Sequence, residues 1–284
     1  MQKTANGNAK GGKIRRNERM SAMMKILAAK PNRIFTLSYF CDLFGSAKST
    51  MSEDIDILRD VVAHFGLGEL ETVTGAAGGV RYRTKVRRPE ARKFIGDLCQ
   101  QLSEEGRVLP GGFLYYSDIL STPEIVTRMG EIMATEYYAA APDFVLTMET
   151  KGIPVAFATA NALGVPLVIA RRSSKVYEGS AVNINYVSGS SGHIETMSLS
   201  RRAVQEGQKC LIVDDFLKGG GTAKGMVDLM REFNVDVVGM TFVMSTAKPV
   251  KKRVMDEKSL MVMDIDQEHE TVLVKPAFWL NGDA

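Results

Sequence analysis

Residues Lys209–Gly225 bring two acids, three glycines and a hydroxyl together at spacings that suit the recognition of a sugar phosphate. Cys210, Leu211, Ile212 and Val213 form a short apolar run of the kind a buried parallel strand needs, and Asp214 and Asp215 stand at its carboxyl end. Phe216, Leu217 and Lys218 lead into Gly219, Gly220 and Gly221, which lack a Cβ and let backbone N–H groups approach a ligand closely. Thr222 suits the N-cap of a helix running to about Phe233. Unpaired amides and the positive end of a helix dipole make a cradle for one phosphate. An ionised carboxylate accepts two hydrogen bonds, so the acid pair beside the cradle suits the vicinal hydroxyls of a sugar. Phosphate plus diol describes a ribose 5-phosphate. The order G-x-x-x-x-G-K-[ST] is absent, so this is not a Walker A loop. The plainer alternative is a strand, a solvated acidic turn and a helix.

Two other loops carry groups able to meet the same ligand. Glu149-Thr150-Lys151-Gly152 follows an expected strand at Phe144–Met148, and Lys151 with the amides around Gly152 suits a second anionic group. Arg171, Arg172 and Lys175 follow the next strand and carry the right charge, with a solvated cationic loop as the alternative.

These loops need a scaffold, and from Asp143 the pattern supplies one. Strands at Phe144–Met148, Leu167–Ala170, Cys210–Val213 and Val235–Met244 alternate with helices at Ile153–Leu163 and Thr222–Phe233. Such alternation predicts an α/β fold, a parallel sheet with helices on its faces and ligands at the carboxyl ends of the strands. Between Arg171 and Arg202 the rhythm breaks, and β-like runs near Ile184–Val187 and Ile194–Leu199 point to a hairpin arm over a site. Upstream, Glu90–Leu102 reads as a helix, Leu109–Tyr115 as a turn and strand, and Thr122-Pro123 as the start of a helix ending before Pro142.

The front of the chain is built differently. Residues 1–12 read as a disordered basic tail. A helix is expected from about Lys13 to Lys30, with Met20, Met23, Met24 and Leu27 on one face, and a short second helix over Leu37–Phe44, ended by Gly45. A third opens at Ser46, with Met51, Ile55, Leu58, Val62 and Phe65 at helical spacing. Its first turn, with Lys48, Ser49, Thr50 and Ser52, is small and polar enough to enter a major groove. Leu70–Thr74 and Val80–Thr84 then flank Gly75-Ala76-Ala77-Gly78-Gly79 as a hairpin, with Arg81 and Arg83 behind its tip. Three helices and a hairpin predict a winged helix-turn-helix, in which Gly78, Gly79 and Arg81 of the wing and Arg15 and Arg16 of the front end would meet phosphates. A small helical domain docking a protein partner is the alternative. Polar residues 85–92, including Pro89, place the boundary between a domain at 13–85 and another at 90–284.

Composition sets the outer limits. At 284 residues, 45% hydrophobic and 24% charged, the chain has the make-up of a soluble protein of one large core or two domains. A net charge of +3 is too small to argue nucleic-acid binding, but Lys3, Lys10, Lys13, Arg15, Arg16 and Arg19 concentrate it at the front. Three scattered cysteines suggest reduced thiols, three scattered histidines offer no metal spacing, and the most apolar window is interrupted by Asn161, Gly164 and Pro166. A cytoplasmic location and no membrane partner are expected.

The acid pair and glycine loop resemble the 5-phosphoribosyl 1-pyrophosphate (PRPP) signature of type I phosphoribosyltransferases, and Thr150-Lys151-Gly152 resembles that family's pyrophosphate loop. Across both halves the chain resembles the purine operon repressors of Gram-positive bacteria. The matching residues are Ser46-Ala47-Lys48-Ser49 before Ser52-Glu53-Asp54, the wing Gly75–Val80, Leu109-Pro110-Gly111-Gly112, Thr150–Pro154, Ile184–Ser191 and Asp214-Asp215 before the glycines. The resemblance implies a homodimer, PRPP as effector together with Mg²⁺, double-stranded operator DNA at purine-synthesis promoters as target, and no transferase activity. PRPP-binding residues on this resemblance are Asp214 through Thr222, Thr150, Lys151, Gly152, Arg171 and Lys175. Where hypoxanthine-guanine transferases carry an Asp three residues beyond the acid pair, this chain has Lys218, and Gly219 replaces the following Thr. A catalytically active purine phosphoribosyltransferase with an accessory association domain is the competing expectation.

Overall fold

The computed structural model describes residues 14–75, 78–104, 106–110, 113–173, 179–188, 192–266 and 271–281. The tail at 1–12, Ala76 and Ala77 of the wing, Gly111-Gly112, Lys175 and Gly189–Ser191 lie outside the described residues. The chain divides into two compact units, 1–83 and 84–284.

The first unit contains α1 (Arg16–Ala28), α2 (Leu37–Phe44), α3 (Lys48–His64) and an antiparallel hairpin of β1 (Glu69–Val73) and β2 (Gly79–Arg83). The Thr36 hydroxyl accepts a hydrogen bond from the Tyr39 amide and so opens α2. Gly45, in the left-handed region at φ +59°, closes it, and only Gly45, Ser46 and Ala47 separate α2 from α3. Of the apolar faces read from the sequence, Met23, Leu27, Met51, Ile55, Leu58 and Val62 are buried with Phe40, Phe44, Leu70 and Val80, whereas Met20 and Met24 are only partly buried and Phe65, past the end of α3, is 67% exposed. Phe35 exchanges both backbone hydrogen bonds with Val80, which ties the hairpin to the segment entering α2.

The second unit opens with α4 (Arg88–Leu102), a small hairpin of β3 (Val108–Leu109) and β4 (Phe113–Leu114), α5 (Ser117–Ser121) and α6 (Pro123–Tyr137). Then follow β5 (Phe144–Met148), α7 (Ile153–Leu163), β6 (Leu167–Ala170), β7 (Ala181–Val187), β8 (Ile194–Ser200), β9 (Lys209–Leu217), α8 (Gly221–Glu232), β10 (Asp236–Thr246), β11 (Glu257–Asp266) and β12 (Thr271–Pro276). Six strands form one sheet in the order β12-β11-β10-β9-β5-β6. All neighbours are parallel except β12, which returns antiparallel on β11. The sheet is therefore mixed at one edge.

Period-two alternation sorts side chains onto two faces. Val145, Leu211 and Val213 pack in a core shared with α4, α6 and α7, while Phe144, Leu146, Cys210 and Ile212 pack in one shared with α8 and the β7–β8 hairpin. The central strands are covered on both sides, which explains their continuous apolar runs. The hairpin β7–β8 is the arm expected between Arg171 and Arg202, joined to the chain leaving β6 by an Arg171–Ser198 bridge.

Candidate functional site

The sequence reading places the acid pair beyond the end of its strand, but β9 runs on through Leu217, so Asp214 and Asp215 lie within it. The cause is register: β10 pairs with β9 as far as Ser245 opposite Leu217, and backbone hydrogen bonds extend a strand past its apolar stretch. The two carboxylates remain neighbours, close enough for a side-chain hydrogen bond between them, but differ in exposure. Asp214 is 7% exposed and Asp215 half-buried. The Asp214 carboxylate accepts from the Asp215 amide at 3.0 Å and from the Thr147 hydroxyl at 3.5 Å. Burial, with the neighbouring Asp215 charge adding to it, holds the Asp214 carboxyl well above the usual carboxylate range.

Gly152 is what admits that carboxylate. A Cβ there would overlap Asp214 Oδ1, so the loop after β5 reaches the acid pair only because residue 152 has no side chain. Lys151 and Thr150 stand exposed beside it. The Lys151 ammonium lies 5.0 Å from the Tyr116 ring centroid, and the Tyr116 hydroxyl donates to Asp215 Oδ2 at 2.6 Å. Tyr116 also stacks on Phe216, at 6.2 Å between centroids. Burial foremost, then Asp215, raises its phenol far above the ordinary tyrosine value. Sequence reading missed Tyr116 because it lies far upstream of the acid pair, at the entry to α5, where no spacing rule ties it to β9.

At the end of β9, Leu217 is 1% exposed and packs in the core, so its side chain is closed to a ligand, while Lys218 just beyond is exposed. The α8 N-cap is Gly220, in the left-handed region at φ +77°, and not Thr222 as expected. Only a glycine makes that turn without strain, and an added Cβ would press on Arg253 N at 3.1 Å. Thr222 sits within the first turn of α8, where its hydroxyl meets Tyr186 of the hairpin arm; burial foremost pushes the Tyr186 phenol up to about 12. Gly219, Gly220 and Gly221 line the bend, with the amides of the α8 first turn beyond them. On the far side of the sheet edge, Arg171 lies 3.9 Å from Glu149, and Glu149 accepts from the Arg172 amide at 2.6 Å, which binds this loop to the end of β5.

In the first unit, Lys48 and Ser49 are exposed and Thr50 half-buried in the first turn of α3, and Ser52 is exposed at the start of the second. Behind that turn Asp54 is fully buried and pairs with Arg19 at 2.8 Å and with Arg16 at 3.0 Å. Arg16 also meets Glu53 at 2.8 Å, and the Glu18 carboxylate accepts from the Arg15 amide at 2.8 Å. Arg16 thus helps to fasten α1 to α3. Arg81 and Arg83 both reach Glu71 at 2.8 Å, so a carboxylate on the facing strand offsets the wing's positive charge. Gly78 and Gly79 face backbone, Val73 and Phe35 respectively, too closely for any side chain.

Comparison with known proteins agrees with this division. Residues 15–84 match the family described as "Bacterial purine repressor, N-terminal", and residues 116–278 match the phosphoribosyl transferase domain. The purine biosynthesis transcriptional repressor of Bacillus subtilis is 44% identical over 245 residues, 86% of each chain. The purine biosynthesis transcriptional activator of Lactococcus lactis is 39% identical over 251 residues, 88% of this chain and 93% of that one. Among solved structures, adenine phosphoribosyltransferase from Thermoanaerobacter pseudethanolicus covers 60% of this chain and 99% of its own, with a TM-score of 0.51 at 22% identity, a likeness of fold.

Proposed function

This chain belongs to the bacterial purine repressor family, and from that premise we propose that it is a DNA-binding regulator of purine biosynthesis genes whose second unit senses PRPP and does not turn it over. The observation that carries the effector reading is the juxtaposition of Asp214-Asp215, the Gly219–Gly221 bend at the head of α8, and the Lys151-Gly152 loop against Asp214. Asp215, half-exposed and oriented by Tyr116, would accept the ribose hydroxyls. The amides of the bend would take the 5-phosphate, and Lys151 with the amides near Gly152 the pyrophosphate. Lys218 and Arg171 would add positive charge at the rim.

Mg²⁺ fits this arrangement as a companion of the ligand. Among the described residues no cluster of three His, Cys, Asp or Glu could hold a metal alone. The ion would therefore bind phosphate oxygens and keep most of its waters, one of which Asp215 can accept from.

Lys218 and Gly219, standing where hypoxanthine-guanine transferases place a base-directed carboxylate and a phosphate-binding hydroxyl, support the absence of turnover. The first turn of α3 would enter the major groove, and a homodimer would present two such turns to paired half-sites. Family relatives are named both repressor and activator, so the same design serves either sign of control.

Calorimetry with PRPP and Mg²⁺ tests the effector reading. Wild type should bind, and the double substitution Asp214→Asn with Asp215→Asn should abolish binding while the protein remains folded. Incubation with PRPP and labelled purines should yield no nucleotide above background; product at physiological substrate levels would overturn the non-enzymatic reading.

A further inference from the structure

The bend that carries the glycines is held from behind by a segment that the motif does not include. Lys252, half-buried between β10 and β11, points its ammonium at three backbone carbonyls: Thr246 at 2.8 Å, Lys218 at 3.3 Å and Pro249 at 3.3 Å. The Thr246 hydroxyl donates to the same Lys218 carbonyl at 3.4 Å, and the Arg253 amide donates to the Gly219 carbonyl at 3.1 Å. Both peptide oxygens that open the bend are thus engaged on one side, by groups from a single stretch of chain.

A trans peptide is planar, with its C=O and N–H pointing in opposite directions. Fixing the Lys218 oxygen toward Lys252 therefore turns the Gly219 N–H the other way, and fixing the Gly219 oxygen toward Arg253 does the same for the Gly220 N–H. Glycine makes this control necessary: with no Cβ, a Gly-Gly-Gly run samples both signs of φ, and without an outside hold either peptide can flip and present oxygen where an anion needs hydrogen.

We propose that Lys252 is a positioning residue for the phosphate cradle, turning the Gly219 amide toward an anionic ligand by engaging the Lys218 carbonyl from behind, as the neighbouring Arg253 amide does for Gly220. This rests on the reading of the bend as the site of the ribose 5-phosphate group. Partial burial lowers the pKa of the Lys252 ammonium.

The test uses the full chain and ribose 5-phosphate, which carries the phosphate and the diol without the pyrophosphate. Lys252→Met should weaken ribose 5-phosphate binding by about tenfold, the range for losing a hydrogen bond from a charged donor, and weaken PRPP to a similar degree. Lys252→Arg, which can still donate to carbonyls, should stay within about threefold of wild type. Thr246→Val removes the second donor to the Lys218 oxygen and should produce a smaller loss. Effector-free operator affinity should not move in any variant, and melting temperature should fall only slightly as the carbonyls lose their donors, since general damage to the fold would lower both steeply. If Lys252→Met binds ribose 5-phosphate as wild type does, or if Lys252→Arg loses as much as Lys252→Met, the positioning role is overturned. If wild type binds neither ribose 5-phosphate nor PRPP, the effector reading itself fails, and the role assigned to Lys252 goes with it.

Discussion

Gly152 and Asp214 occupy what would otherwise be the same space, and one methyl group decides between them. Gly152→Ala places a Cβ on the Asp214 carboxylate, so either the loop or the acid must move. Overpacking of that kind costs roughly 1–3 kcal/mol. The expected outcome is a lower melting temperature together with loss of PRPP binding by calorimetry, whereas Gly96→Ala, in α4 with nothing near its added Cβ, should leave both alone. Tyr116 offers a milder probe. Tyr116→Phe keeps the ring on Phe216 and beneath Lys151 but releases Asp215, and PRPP affinity should fall about tenfold. Asp214 also gives the unit a pH signature. Its folded pKa is raised, so between an unfolded carboxyl value of about 4 and that raised value the native state holds a proton the unfolded chain has lost. The contribution to stability is present at low pH and is lost as pH rises through the folded value. Melts of wild type against Asp214→Asn should show the wild type losing more stability over that window.

At the scale of elements, most of the positions of the strands and helices could be read directly. The strands Phe144–Met148 and Leu167–Ala170 and the helices Leu37–Phe44 and Ile153–Leu163 lie where periodicity sets them, because both faces of the sheet are covered and each helix has one apolar stripe. What escaped was set by partners rather than by local pattern. β9 continues through two aspartates because β10 pairs beside it, α8 starts at a glycine because the bend needs φ > 0, and β11 and β12 carry alternation too mixed to stand out after Met244. The acid pair and its glycines were visible as a motif, while Tyr116, Thr147 and Lys252 were invisible: each reaches the site across a distance in sequence that no spacing rule spans. The helix proposed to meet DNA was legible too, although it starts at Lys48 and not at Ser46. Lys48→Ala, at the exposed start of α3, should weaken operator binding and reduce the slope of log affinity against log salt by about one, as loss of a single phosphate contact requires.

For the whole molecule, any effect of one proposed ligand on the binding of the other is a reciprocal free-energy coupling between the two units. If PRPP alters operator affinity by some factor, operator DNA must alter PRPP affinity by the same factor. Operator titrations with and without PRPP should therefore agree with PRPP titrations with and without operator, and the doubly substituted Asp214→Asn, Asp215→Asn chain should bind operator yet ignore PRPP. A factor of one in both directions would mean that the two sites are not coupled.

Asp54, sealed beneath the start of α3 with Arg19, separates how the first unit holds itself from how it holds a promoter. Salt screens the exposed Lys48 charge but acts far less on that buried pair. Brine should thus loosen the grip on the double helix and leave the reading head seated in its socket.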